Sequence, residues 1–480
     1  MVLDMDLLAR QEAREMARRG AAAGRVLAGF CQEKLDAIVE AVASAFSAQA
    51  LPLARQAVEE TGFGNVPDKE TKNRFASTTV AEAVRGMKTV GLLSQGEGLW
   101  EIGVPKGLVA AIVPSTNPTS TVCYKALIAL KAGCPILFSP HPKAIACTRA
   151  AAELVARAAE EAGAPEGSVG CLSHGAMAGC QELMTAEPVR LILATGGPAL
   201  VRAAYSSGKP AIGVGAGNGP AYLHASCDLG AALDDICRSK TFDNGTVCAS
   251  EQSIVVEAGM EQALLGEGRR RGFYFMEETE ARALSKLLFR PNGTLNPGIV
   301  GKDADSLAKM AGFTVPAGTK VLVARESGVG PEHPYSMEKL CPVLALYVRD
   351  SEAEILSLCQ EILNLEGAGH TFSLHAREEG VIRRFAEKIP VSRFLVNTPA
   401  ALGGVGLTTG LFPALTLGCG AVGGSSSSNN ISPRDLIDLR RVAWGKNPPA
   451  PDHPPLEDLV ELLTEKILKR LEGQDGSADR

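Results

Sequence analysis

The chain has 480 residues, too many for one ordinary core, so two or three domains are expected. Its 45% hydrophobic and 21% charged content is that of a globular enzyme and excludes a disordered chain. A net charge of −6 gives no general attraction to nucleic acid or anionic membrane, no apolar run is long enough to span a bilayer, and the N-terminus lacks a signal-peptide core.

Residues 1 to about 60 read as helices: Leu7, Leu8, Val26, Leu27, Phe30, then Leu35, Ile38, Val39 and Val42 keep helical spacing. From about residue 108 short apolar strands alternate with Ala-rich helices. A strand over 108–113 leads through Pro114-Ser115-Thr116-Asn117-Pro118 into a helix reaching Lys131. A strand over 135–138, a helix over 144–161 and a strand over 191–194 follow, the last running into Thr195-Gly196-Gly197. This alternation predicts a doubly wound parallel sheet with ligands at the carboxyl ends of its strands. A second αβ segment spans about 236–419, with strands predicted at 253–257, 320–323, 343–348 and 394–396. The tail differs. Residues 447–455 are a proline-rich, stiff linker, and after it Leu456, Leu459, Val460, Leu463, Ile467, Leu468 and Leu471 make one apolar helix face.

Twelve cysteines at scattered spacings, with no C-x-x-C pair, read as reduced thiols in a cytoplasmic protein, and no metal site is expected. Cys248 stands out, because Asp243-Asn244-Gly245-Thr246-Val247 ahead of it describes a tight turn that would present a thiol. The competing reading is a small buried hydrophobe. Asn117 follows a strand and precedes a proline, so its amide is either aimed into a cleft or closes an Asx turn. Glu338 precedes a strong strand, and alone would pass for a surface charge. His370 lies in the small-residue stretch Gly367-Ala368-Gly369-His370, where proton transfer and a structural role are equally open. Thr195, Gly196 and Gly197, between a strand and a helix, would turn backbone N–H groups toward a diphosphate. The run Gly213-Val214-Gly215-Ala216-Gly217-Asn218 is a weak match to a dinucleotide fingerprint and equally a tight backbone turn.

Taken together these segments resemble the aldehyde dehydrogenase superfamily, and within it the CoA-acylating branch, over about residues 5–446. The resemblance is carried by Glu59-Glu60-Thr61-Gly62-Phe63-Gly64, the Asn117 segment, Phe138-Ser139-Pro140-His141-Pro142-Lys143, the Thr195 loop, the 204–218 stretch, the Cys248 segment, Glu338-Lys339-Leu340-Cys341-Pro342 and the His370 stretch. It implies an α/β aldehyde dehydrogenase fold. A Rossmann-type cofactor domain would occupy 1–97 and 108–235, a catalytic domain 236–419, and a small β oligomerisation flap 98–107 with 420–446.

By the same resemblance Cys248 is the nucleophile, and Asn117 with the Cys248 N–H forms the oxyanion hole. Glu338 holds the nicotinamide ribose, and Thr195, Gly196 and Gly197 meet the cofactor diphosphate. Ser139, Pro140 and His141 stand where hydrolytic members grip the adenine ribose with a Lys-Pro motif, and the lysine is missing. His370 is a candidate for deprotonating CoA. Hydrolytic members carry a water-activating glutamate in the stretch matching 211–218, which here has no carboxylate. The implied reaction is NAD-dependent oxidation of a short aldehyde to its CoA thioester, the alternative being a hydrolytic dehydrogenase; a catalytically silent cargo protein is disfavoured by the intact Cys248, Asn117 and Glu338 set. Residues 407–417, with Cys123 and Tyr124, are candidates for the pocket wall. A homodimer or homotetramer is expected, without nucleic-acid or membrane partners. The tail resembles the encapsulation peptides of enzymes inside bacterial microcompartments, the alternative being a helix docked on a neighbouring subunit.

Overall fold

Five apolar residues, Leu-Val-Ala-Ala-Ile, form the strand Leu108–Ile112, and all five are buried. An unbroken apolar run is what a strand covered on both faces requires. In the computed structural model, which describes residues 4–446 and 456–472, this strand is the centre of a five-stranded parallel sheet. Ile136–Ser139 and Val169–Cys171 lie to one side, Val189–Thr195 and Ala211–Val214 to the other. The chain thus reverses direction across the sheet between Leu108–Ile112 and Val189–Thr195. That reversal opens a crevice at their carboxyl ends, where the Asn117 and Thr195 loops emerge.

The helix Pro118–Lys131 is buried on every side rather than along one stripe. Its Lys125 is buried as well and donates to the carbonyls of Ile112 and Leu193, at 2.9 Å each. Burial pulls this ammonium down to about 7. The helix Ile145–Glu161 instead buries one face, Cys147, Ala151, Ala152, Val155 and Ala158 among it, at the spacing the sequence predicts.

A second sheet has seven parallel strands, in the order Phe273–Phe275, Val321–Arg325, Val343–Arg349, Glu251–Glu257, Gly219–Leu223, Gly369–His375, Val391–Val396. Buried apolar clusters cover both faces, one including Tyr222, Tyr347 and Phe372, the other Ile254, Leu264 and Leu344. Three of these strands, Phe273–Phe275, Gly219–Leu223 and Gly369–His375, fall outside the four expected. The sheet therefore begins before residue 236, because Gly219–Leu223 pairs with Glu251–Glu257.

The chain divides into two compact units, Met1–Gly91 with Val104–Asp438, and Leu92–Gly103 with Leu439–Arg480. The expected flap at 98–107 and 420–446 differs from this division. Residues 425–428 are held in the larger unit by Ser425 Oγ to Gly213 O (3.1 Å), Ser426 Oγ to Ala211 O (2.6 Å) and Arg393 to Ser428 O. The smaller unit holds most of a three-stranded sheet, Gly91–Gly96, Leu99–Pro105 and Ile437–Ala443, with Trp100 and Trp444 edge to face at 4.9 Å. Its helix Leu456–Glu472 matches the predicted amphipathic tail; the proline-rich 447–455 lies outside the described residues. No single helix among the described residues is long and apolar enough to cross a membrane.

Candidate active site

Asp243, Asn244 and Gly245 all take left-handed backbone, with φ of 48°, 51° and 75°. Such backbone costs a non-glycine residue about 1 kcal/mol or more, so something must hold it. Asn244 Nδ2 donates to Gly301 O at 2.9 Å, and the wholly buried Asp243 carboxylate accepts from Lys69, Lys72, Thr246 and the Asn65 N–H. The turn delivers Cys248 to one wall of a cavity, just before the strand Glu251–Glu257. Asn117 forms another wall.

Between them the lining is mainly apolar: Phe75, Pro114, Phe242, Val247, Leu402, Val405, Leu407, Leu415 and Leu417, with Thr71, Lys72, Thr121 and Thr195 adding polar atoms. Of the pocket-wall candidates, Leu407, Leu415 and Leu417 take that place. Cys123 and Tyr124 are wholly buried, and the Tyr124 hydroxyl donates to Ile431 O.

The Asn117 side chain makes no bond to the helix it precedes, so it closes no Asx turn. Instead its Oδ1 accepts from Lys72 Nζ at 2.6 Å, and its Nδ2 donates to Thr116 Oγ1 at 3.2 Å. An ammonium can only donate, so the oxygen must face Lys72. Lys72, missed by the sequence reading, is buried. It lies on the helix Val66–Arg74, whose VPDKETKNR reads as solvated throughout. The signal was the Lys69, Lys72, Phe75 spacing, which puts two lysines on the face that continues into an apolar residue.

The 213–218 loop does not cradle a ligand at Gly217. A β-carbon there would stand 1.9 Å from the Cys248 carbonyl oxygen and 3.2 Å from His370 Cε1. The glycine is required because the loop packs directly on the Cys248 turn. The Gly217 N–H donates to Glu338 Oε1 at 2.8 Å, and the Glu338 N–H donates to Glu366 Oε2 at 2.9 Å. Burial, then the Glu366 charge, raises the Glu338 carboxyl to about 8. Burial, then Glu338, pushes the Cys248 thiol up to about 12, while the buried Arg393 guanidinium opposes them. Arg393 donates to Gly369 O and Gly418 O, on either side of this region.

His370 lies within a buried strand rather than a loop, and outside the cavity lining. Its Nδ1 meets Thr371 Oγ1 at 2.5 Å and its Nε2 has no partner among the described residues. Burial, then Arg393, lowers it to about 3, so it is a neutral imidazole near pH 7.

Across the crevice, Thr195 lines the cavity with a buried hydroxyl that no protein group satisfies. Gly197 caps the helix Pro198–Tyr205, and a β-carbon there would meet nothing within 4 Å. Ser139, Pro140 and His141 end the neighbouring strand Ile136–Ser139, outside the cavity lining; Ser139 is buried and His141 Nδ1 accepts from the Lys143 N–H.

A cysteine just after a strained turn, an amide fixed opposite it, and a crevice at the carboxyl ends of parallel strands are the parts that a cysteine-dependent oxidoreductase would need. The comparisons agree. A profile described as the aldehyde dehydrogenase family matches residues 2–270, and the chain belongs to that family. It is 42% identical over 428 residues to the bifunctional aldehyde-alcohol dehydrogenase AdhE of Escherichia coli K12, a match covering 88% of this chain and 48% of the relative. The chain thus spans about half the length of that relative. An acetylating aldehyde dehydrogenase of Geobacillus thermoglucosidasius superposes with a TM-score of 0.91 at 45% identity, covering 95% of this chain and 100% of that structure. A propionaldehyde dehydrogenase of Rhodopseudomonas palustris, solved with bound CoA and an acylated cysteine, gives a TM-score of 0.81 at 26% identity over 90% and 97% of the two chains.

Proposed function

We propose that this chain oxidises a short aldehyde to its CoA thioester through an acyl group carried on Cys248, reversibly and with NAD. The observation that carries the reading is the packing of the 213–218 loop. It meets the Cys248 turn with glycine backbone and brings no carboxylate of its own to activate water.

The residues present fit a dinucleotide. The Thr195 hydroxyl, unsatisfied among the described residues, and the open backbone at Gly197, next to Gly196, suit a diphosphate, with Glu338 for the nicotinamide ribose and Ser139, Pro140 and His141 toward the adenosine. When bound, the nicotinamide supplies a hydride acceptor. NAD rather than NADP is proposed on the resemblance to the acylating branch.

Cys248 loses its proton to solvent and its sulfur adds to the aldehyde carbon, turning the carbonyl into an alkoxide. Asn117 Nδ2 and the Cys248 N–H stabilise that charge; one such donor contributes about 3 kcal/mol, roughly a hundredfold in rate. Loss of hydride from the same carbon leaves a thioester on Cys248. The CoA thiol then attacks the thioester, the new carbon–sulfur bond forms and the Cys248 thiolate departs. His370, whose Nε2 no described residue bonds, is the proposed acceptor of the CoA proton; its basicity is lowered to about 3 by burial, so the proton is passed on to solvent rather than kept.

The proposed domain roles are cofactor binding by the five-stranded sheet and catalysis by the seven-stranded sheet. The three-stranded sheet, with edges that need covering, is proposed to pair copies of the chain into a dimer or tetramer. The setting is cytoplasmic, and the tail helix is proposed to target a bacterial microcompartment shell.

NADH formation from acetaldehyde or propionaldehyde should require free CoA, with acyl-CoA as product, and Cys248→Ala should lower it by at least about a thousandfold. Steady NADH formation without CoA, with a free acid as product, favours the hydrolytic reading instead.

A further inference from the structure

Two lysines on the helix Val66–Arg74 stand out as buried cations whose acceptors lie on both halves of the site. Lys69 Nζ donates to Thr116 O at 2.8 Å and to Asp243 Oδ2 at 2.9 Å. Lys72 Nζ donates to Asp243 Oδ2 at 2.5 Å, Thr246 Oγ1 at 3.1 Å and Asn117 Oδ1 at 2.6 Å. Asp243 belongs to the Cys248 turn and Asn117 to the opposite loop, so one ammonium bridges the two. The Asp243 carboxylate is fully enclosed, and its backbone N–H donates to Asp68 Oδ2 at 2.7 Å. Gly64, just ahead of the helix, makes room for it: a β-carbon there would fall 1.8 Å from Asp243 Oδ1. Immediately after the helix comes one π-type turn, Phe75–Thr79, a feature that recurs where a helix is shaped around a site.

A cation buried beside one carboxylate is ordinarily held for its charge or its geometry, and Lys72 has a use for both. Taking the proposed roles of Cys248 and Asn117 as given, we infer that Lys72 is the positioning residue of the oxyanion hole, fixing the Asn117 amide with its N–H edge toward the reacting carbonyl and polarising it. The oxygen of the amide is held by a donor that has no alternative orientation, so the amide cannot flip. The ammonium draws electron density through the amide, which strengthens Nδ2 as a donor to a developing alkoxide. Lys72 also lines the cavity, but its three N–H groups are taken by Asp243, Thr246 and Asn117, so it acts on the alkoxide through the amide.

Acylation of Cys248 by 4-nitrophenyl acetate tests this without any nicotinamide. The sulfur attacks the acetyl carbon, the ester carbon–oxygen bond breaks, 4-nitrophenolate leaves and the thiol proton passes to solvent. Phenolate release gives the rate, and the mass of the Cys248 peptide locates the acetyl group. Lys72→Met should slow acylation about tenfold to hundredfold in the otherwise native chain and less than about twofold when Asn117 is already alanine. Lys72→Arg, which keeps a charged donor, should recover part of the loss. Equal losses in both backgrounds, or none in the first, overturn the Lys72 role alone. A native chain that is not acetylated at Cys248 overturns the nucleophile assignment and the Lys72 role with it. Asp243 keeps Lys69, Thr246 and Asn65 in the variant, which favours folding. Should Lys72→Met fail to unfold cooperatively, Lys72→Gln is judged by the same coupling to Asn117.

Discussion

Cys248 and Glu338 pose a problem of charge at the scale of single residues. Both are raised, the thiol to about 12 and the carboxyl to about 8, and each through burial first. At pH 7 the resting pair is therefore neutral, which suits a site that must admit an uncharged aldehyde. The second cause of the thiol's shift is Glu338 itself, and that gives a test with a definite sign. Above about pH 8 the carboxylate is ionised, and its charge disfavours the thiolate. Glu338→Gln keeps an acceptor for the Gly217 N–H but removes the charge, so the thiol should ionise at lower pH. Alkylation of Cys248 by iodoacetamide, followed on its own peptide, should be about threefold to tenfold faster than in the native chain at pH 9, half to one pH unit of relief. At pH 6.5, where Glu338 is protonated in the native chain, the two should react alike. Equal rates at pH 9 would show that Glu338 exerts no charge on the sulfur.

Among elements, the loop over 213–218 changes meaning most between sequence and structure. Its glycines resemble a phosphate cradle, yet Gly217 is needed to let a backbone pass within contact of the Cys248 carbonyl. Gly217→Ala should leave the circular dichroism spectrum native while slowing Cys248 acylation by at least about tenfold, since a backbone atom, unlike a side chain, has no rotamer with which to yield. Unchanged acylation would mean that the turn moves freely and that its position does not govern the nucleophile. The same contrast explains what was legible. The strands Leu108–Ile112 and Val343–Arg349 are near-continuous apolar runs and announce themselves. Gly369–His375 is buried throughout but spells Gly-His-Thr-Phe-Ser-Leu-His, so polarity disguised it as a loop. Gly219–Leu223 hides behind the preceding glycines and its own proline. Cys248 and Asn117 were found because turn-forming neighbours mark them, whereas Lys69 and Lys72 were not. A buried lysine is identified by its acceptors, and those lie about 45 and more than 170 residues away in sequence.

For the molecule as a whole, the tail raises the question of what it is for. The helix Leu456–Glu472 has 17 residues, a length at which an isolated helix is marginal in water. Its Leu459, Val460, Leu462, Leu463, Ile467 and Leu468 are all 40–58% exposed. A helix of this kind gains its stability when that face is covered, so a partner surface is needed. Under the proposed function that partner is a microcompartment shell protein, and catalysis should be indifferent to the tail. A chain ending at Trp444 should keep CoA-dependent NADH formation within about twofold of the full chain, because each site residue lies before position 420. It should also elute at the same mass by light scattering but no longer sediment with purified shells. Two other results would count against targeting. If the shortened chain drops to a smaller assembly, the helix is a contact between copies; if it still sediments with shells, the recognition surface lies elsewhere. Residues 445–480 fused to an unrelated fluorescent protein supply the converse, since a segment that targets by its apolar face should carry the passenger into the shell fraction, and exchanging Leu463 and Ile467 for glutamate should release it.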